Sequence, residues 1–184
     1  MTWRGIAFAL VTAVLVGISR SSLLRPRSHG FFRFFAWEAI AAMFLLNVEY
    51  WFVDPLRWNQ LIAWFLLILC CVPVFWGTLL LRGRGKPTPE RPSDSTLLAF
   101  EKTTTLVESG IYAYIRHPLY CSLLILTWGI FFKHPTVTGV CLGLASSLFL
   151  FLTALADEAE CIAFFGPQYQ TYMRRTRRFV PFLF

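Results

Sequence analysis

Charge is scarce in this sequence, and acid is scarcer than base. Only 15% of the 184 residues are charged, 10 acids against 17 bases, whereas 57% are apolar or aromatic. Charge this low excludes an ordinary water-soluble domain. Long apolar runs need their backbone amides satisfied within their own segment, and a helix in a bilayer does this. Paired cysteines are missing as well. Cys70, Cys71, Cys121, Cys141 and Cys161 lie in apolar surroundings with no C-x-x-C spacing, so neither a disulfide framework nor a zinc site is indicated, and packing is their expected role. No small-residue cleavage site follows the first apolar run before Arg20, Arg25 and Arg27, so a retained helix is expected there rather than a secretory signal. An internal repeat of the transporter kind is absent.

What is present reads as an all-α, integral membrane bundle of about five transmembrane helices. Apolar runs predict spans at about 4–19, 34–53, 58–81, 119–132 and 136–155, the last two forming a hairpin turned by Lys133, His134 and Pro135. The fourth run has 14 residues. It reads as a re-entrant segment, as a helix in a thinned bilayer, or as a helix that starts inside Tyr112–Pro118.

The net charge of +7 does not indicate nucleic acid, because the bases fall between the apolar runs. With five crossings, one side receives Arg20, Arg25, Arg27, Arg33, Arg82, Arg84, Lys86, Arg91, Lys102, Arg116, Arg174, Arg175, Arg177 and Arg178. The other receives Arg4, Arg57 and Lys133. This bias predicts an outside N-terminus, with the 82–118 loop and the C-terminus cytosolic. The organisation expected is a three-helix membrane region at 1–81 and a core at 82–184, within one structural domain.

Chemistry has few places to reside. Gly83-Arg84-Gly85 follows a membrane helix with no strand before it, which excludes a dinucleotide-binding turn. The richest stretch is Leu106–Tyr120. Gly110 permits a turn, and Pro118 suits the first turn of the following helix, so Arg116 and His117 fall at the membrane surface and Tyr120 just inside. Such a group suits either a small zwitterion or an interfacial belt. Further on, Asp157, Glu158 and Glu160 are expected at the cytosolic end of the fifth span, where the helix dipole disfavours them. A bound cation, or pairing with Arg116 or the C-terminal arginines, is expected to compensate.

Leu106-Val107, Gly110, Tyr112, Arg116-His117-Pro118, Tyr120, an apolar hairpin, Asp157-Glu158, Phe165-Gly166, Tyr169, Tyr172 and Arg178 with Pro181 form an ordered series. This series resembles the membrane methyltransferases of the isoprenylcysteine carboxyl methyltransferase and phospholipid methyltransferase family, over about 104–181. The resemblance implies S-adenosyl-L-methionine in a cytosolic pocket formed by the 82–118 loop, the last helical hairpin and the C-terminal segment. It also implies a membrane lipid or lipidated small substrate entering from the bilayer. By similarity the cofactor meets Thr104, Thr105, Leu106, Val107, Tyr112, His117, Pro118, Tyr120, Asp157 and Glu158. Glu158 and Arg116 are the candidate catalytic pair, and Glu38 and Arg178 the candidate substrate contacts.

Two positions depart from the isoprenylcysteine branch. Thr104 stands where that branch usually has His, and Thr153 where it has a base. An amine acceptor of the phosphatidylethanolamine type is therefore the alternative, with Glu158 as its base. More distant readings are an NADPH-dependent sterol reductase, a non-catalytic lipid-binding scaffold and a small transporter. Glu38 is expected near the cytosolic mouth, Glu49 at the outer end, and Glu101 either beside Lys102 or turned toward the cofactor.

Overall fold

The computed structural model describes residues 2–86 and 101–180. Arg91 and Pro181 therefore lie outside the described residues. Among those described, seven α-helices follow one another: α1 (Trp3–Leu23), α2 (His29–Asn47), α3 (Trp58–Leu69), α4 (Cys71–Arg84), α5 (Pro118–Phe131), α6 (Val137–Phe165) and α7 (Pro167–Arg175). There is no strand among them; an isolated parallel bridge joins Ile115 and Arg177. Four stretches are long and apolar enough to cross a membrane: Trp3–Leu23, His29–Tyr50, Trp58–Arg84 and Val137–Phe165. The protein is an all-helical membrane bundle. Its outward side chains suit lipid, with Leu10, Phe65 and Leu79 each about two-thirds exposed.

Local chemistry sets the helix ends. The hydroxyls of Thr2, Ser28 and Thr136 accept from backbone amides in the first turns of α1, α2 and α6, satisfying donors that have no partner within the helix. Pro118 opens α5, where its missing N–H costs nothing. The helix thus begins at the last residue of the Tyr112–Pro118 stretch, and Gly110–Ala113 ahead of it forms a 3-10 turn. Gly110 has φ of 62°, and a Cβ there would stand 2.7 Å from Leu80 Cδ1. Only glycine fits that turn.

Three expected boundaries are corrected. The 58–81 run is two helices that meet at Cys70, because Pro73 offers no N–H to Leu69 and its ring crowds that carbonyl. α2 starts at His29 rather than 34, capped by Ser28, so Arg33 lies on the helix and not in a cytosolic turn. α6 continues to Phe165, ten residues beyond 155, until Gly166 with φ of 61° ends it. The carboxylates of Asp157, Glu158 and Glu160 therefore sit on the body of α6 and not on its last turn, and the dipole penalty expected for them does not apply.

α2 is the hub of the packing, lying chiefly against α6 and α1. Its buried stripe runs His29, Arg33, Ala36, Ile40, Met43 and Asn47, alternating steps of four and three. Ala36 joins Tyr120, Leu150, Ala154 and Phe179 in one core cluster, and Ile40 and Met43 join Ile130 and Phe131 in another. In lipid these contacts hold by close packing rather than by exclusion of water.

At the end of the bundle near the α5–α6 turn, side-chain amides satisfy backbone carbonyls. Asn47 Nδ2 donates to Ile130 O at 2.8 Å, Asn59 Nδ2 to Phe132 O at 3.0 Å, and Gln60 Nε2 to Lys133 O at 3.1 Å. These bonds let the 14-residue α5 stop short, because its final carbonyls need no water. Lys133, counted above as an outside surface charge, instead turns inward and is 1% exposed. Its Nζ donates to Gln60 Oε1 at 3.0 Å and lies 3.3 Å from the centre of the Trp64 ring. Burial draws its ammonium pKa down to about 8. Arg4 pairs with Glu49 at this same end.

Candidate functional site

At the opposite end the helices part around a half-open cavity. About 100 Å³ of it can be reached by the centre of a water molecule, and its atom-free space is about 770 Å³ with the open mouth included. One wall is Glu101, Thr103, Leu106 and Val107, which run past the end of α4. A second is Tyr112, Arg116 and the opening of α5, from His117 to Tyr120. α6 contributes Asp157, Glu160, Cys161 and Phe165, and α7 contributes Tyr169 and Tyr172. The turn at Gly166 folds α7 back over the site, and Tyr172 locks it there by donating to the Tyr112 carbonyl at 2.7 Å.

Residues 177–178 close the site from behind. Arg116 N donates to Arg177 O at 2.7 Å, Arg177 N to Tyr114 O at 3.0 Å, and His117 N to Arg178 O at 3.1 Å. This short parallel pairing brings Arg178 beside Arg116. Glu158, 4% exposed, lies between the two guanidinium groups. Arg116 Nη2 stands 2.8 Å from Glu158 Oε1, and Arg178 Nη2 is 2.9 Å from Oε2. Arg116 Nη1 also reaches Met173 O at 3.2 Å and the Thr176 carbonyl. Glu158 is thus compensated within the chain, through both Arg116 and a C-terminal arginine.

His117 is the buried pivot. Its Nδ1 is 3.4 Å from Asp157 Oδ2, and its Nε2 is 3.5 Å from Glu158 Oε1, an ionic contact too long to count as a hydrogen bond. Burial by itself lowers the imidazole pKa, but Asp157 and Glu158 outweigh it and hold the pKa above the ordinary value. The ring stacks on Tyr120, whose hydroxyl donates to Asp157 Oδ2 at 3.2 Å.

Of the residues singled out in the sequence, Leu106, Val107, Tyr112, Arg116, His117, Pro118, Tyr120 and Asp157 line the cavity together. Glu158 and Arg178 lie behind the wall. Thr104 and Thr105 do not line it; their amides donate to the Gly85 carbonyl at 3.0 and 3.2 Å and tie the loop to the end of α4. Glu38 is not at the cytosolic mouth. It lies midway along α2, facing α1, and accepts from Thr12 Oγ1 at 2.9 Å. Thr153 is fully buried and donates to Phe149 O within its own helix. Glu101 turns inward and meets Arg33 at 2.8 Å, rather than standing beside Lys102.

Sequence reasoning missed Thr103, Cys161 and Glu160 as cavity residues, together with the α2 partners of the wall. The four-residue step from His29 to Arg33 was the available signal, because it places both on one helix face. Among the described residues no group of three or more His, Cys, Asp or Glu side chains is placed to hold a metal ion.

Residues 93–164 match the family model described as the isoprenylcysteine carboxyl methyltransferase (ICMT) family, and 93–100 of these lie outside the described residues. The cobalt-zinc-cadmium resistance protein CzcN of Cupriavidus metallidurans is 37% identical over 106 residues, covering 56% of this chain. The match spans about half of that relative, 48% of its length. No solved structure matches.

Proposed function

We propose, taking the ICMT family match as premise, that this chain is an S-adenosyl-L-methionine-dependent methyltransferase that acts on the carboxylate of a lipidated small molecule, of the prenylcysteine kind. The observation that carries this reading is the cavity itself. It joins an apolar and aromatic wall to three carboxylates, a guanidinium and a buried imidazole at the end of a lipid-facing bundle. The donor set suits the cofactor: Leu106, Val107 and Leu119 offer apolar surface to an adenine, and Asp157 offers charge to an ammonium or sulfonium. His117 lines the cavity beside Asp157 and fixes that carboxylate from one side.

When bound, the cofactor supplies a methyl group whose bond to sulfur breaks with its electron pair left on sulfur, while an acceptor oxygen pair forms the new bond. The chain's own part is positional. Tyr112, Tyr169 and Tyr172 exclude water, Arg116 presents a cation to an acceptor carboxylate, and Glu158 with Thr176 and Met173 fixes the direction of that guanidinium.

The phosphatidylethanolamine alternative is not favoured. An amine must lose a proton to attack, and Glu158 makes a poor base because both its oxygens are engaged by arginines and it does not line the cavity. The test is methyl transfer from labelled cofactor to a prenylated cysteine analogue and to phosphatidylethanolamine, from pH 6 to 9. Transfer to the cysteine analogue, with no steep rise above pH 6, is expected. Transfer to the phospholipid alone, rising with pH, would overturn the assignment. The reading also places the N-terminus outside and the cavity and C-terminus in the cytosol. Reporters before Met1 and after Phe184 should then report opposite sides.

A further inference from the structure

Among the described residues, two of the three carboxylates in the cavity wall are held from a helix that the family match does not reach. Arg33 Nη1 donates to both oxygens of Glu101, at 2.9 and 2.8 Å. His29 meets both oxygens of Glu160, its backbone N–H at 2.9 Å from Oε1 and its Nδ1 at 2.6 Å from Oε2. Both α2 residues are buried, His29 at 0% and Arg33 at 4% exposure. The third carboxylate, Asp157, takes its contacts from Tyr120 and His117 inside the matched segment.

These pairings bear on how negative the cavity is. A carboxylate bound to a guanidinium adds little net field, whereas the same carboxylate left alone in a low-dielectric wall attracts any cation within several ångströms. We propose that α2 sets the charge balance of the cavity, Arg33 by neutralising Glu101 and His29 by holding Glu160, and so sets the preference between the cationic methyl donor and its neutral thioether product. This inference rests on the cofactor reading above. Donor and product differ by one positive charge and one methyl group, so a change in wall charge acts on them unequally. A change that merely loosens the wall acts on them alike. Arg33 and His29 are in this sense positioning residues, which act through Glu101 and Glu160.

The test is calorimetric binding of S-adenosylmethionine and S-adenosylhomocysteine, without acceptor, to the full chain in detergent. Arg33→Met should raise the donor-to-product affinity ratio by about three- to tenfold. Glu101→Gln should lower it by a similar factor, and the double variant Arg33→Met/Glu101→Gln should return it to the wild-type value. His29→Phe should shift the ratio in the same direction as Arg33→Met. If Arg33→Met does not fold, Glu101→Gln and the charge-neutral double variant still decide the matter. Ratios that stay at the wild-type value in folded variants, whatever happens to each affinity, overturn the inference and leave the cofactor reading intact. Failure of the wild-type protein to bind either compound overturns both.

Discussion

The two ends of the bundle bury polar groups by opposite means. Near the α5–α6 turn, neutral amides of Asn47, Asn59 and Gln60 donate to backbone carbonyls, and the buried cation Lys133 is enclosed by tryptophan faces and oxygen acceptors. At the cavity end, charges oppose charges across helices: Arg33 with Glu101, His29 with Glu160, and Arg116 and Arg178 with Glu158. The buried ring nitrogens that lack a hydrogen-bond partner, Nε2 of His29 and of His117, are both at this second end. One end is a closed joint. The other sets opposed charges around a half-open cavity.

The comparison breaks most readily at Glu158. Removing its carboxylate leaves Arg116 and Arg178 facing each other without compensation, so Glu158→Ala should cost about 3–5 kcal/mol of stability, seen as loss of folded protein in a thermal melt in detergent. A variant that melts like wild type would mean that the arginines find other partners. Next comes His117→Ala, which should weaken S-adenosylhomocysteine binding by about ten- to a hundredfold with a smaller effect on the melt. Unchanged binding by a folded variant would remove His117 from the site.

The pH dependence of stability sharpens the contrast. The pKa of His117 in the fold is raised above 6.5, so its stabilising contribution is complete below pH 6.5 and fades as pH climbs through the raised value. Wild type should therefore lose its stability advantage over His117→Gln as the buffer moves from pH 6 toward 9. A constant gap between the two melting curves would contradict this. The smallest effect belongs to the closed joint. Asn47→Leu should cost roughly 1 kcal/mol and leave cofactor affinity unchanged, because it removes one neutral hydrogen bond at the far end.

Much of this was legible in the sequence, and the failures share a cause. Leu106–Tyr120 carries its own turn chemistry, so Gly110 and Pro118 placed Arg116, His117 and Tyr120 at a helix mouth before any contact was known. Hydropathy located the apolar runs but not their ends, since a break at Pro73 and an overrun to Phe165 barely alter an average over the window. Charge counting makes Arg33 a topology signal because it treats every base as exposed. Its partner Glu101 is 68 positions away and is brought near only by the fold. Lys133 misled for the same reason. Glu38 was placed by its distance from a span end that proved to be five residues too late.

The parallel pairing of Tyr114–His117 with Arg177–Arg178 has a consequence in time. A membrane protein is threaded into its bilayer from the N-terminus as it is made, so α1 to α4 can be in place while residues 173–178 are still inside the ribosome. The wall that carries Arg116 waits for a partner 60 positions downstream, because the carbonyls of Met173 and Thr176 hold its guanidinium. Until then the pocket has no back, and half-made chains carry the lipid-facing helices without a finished site. The membrane helices α1 to α4 are made before the segment that fixes the Arg116 wall of the cavity.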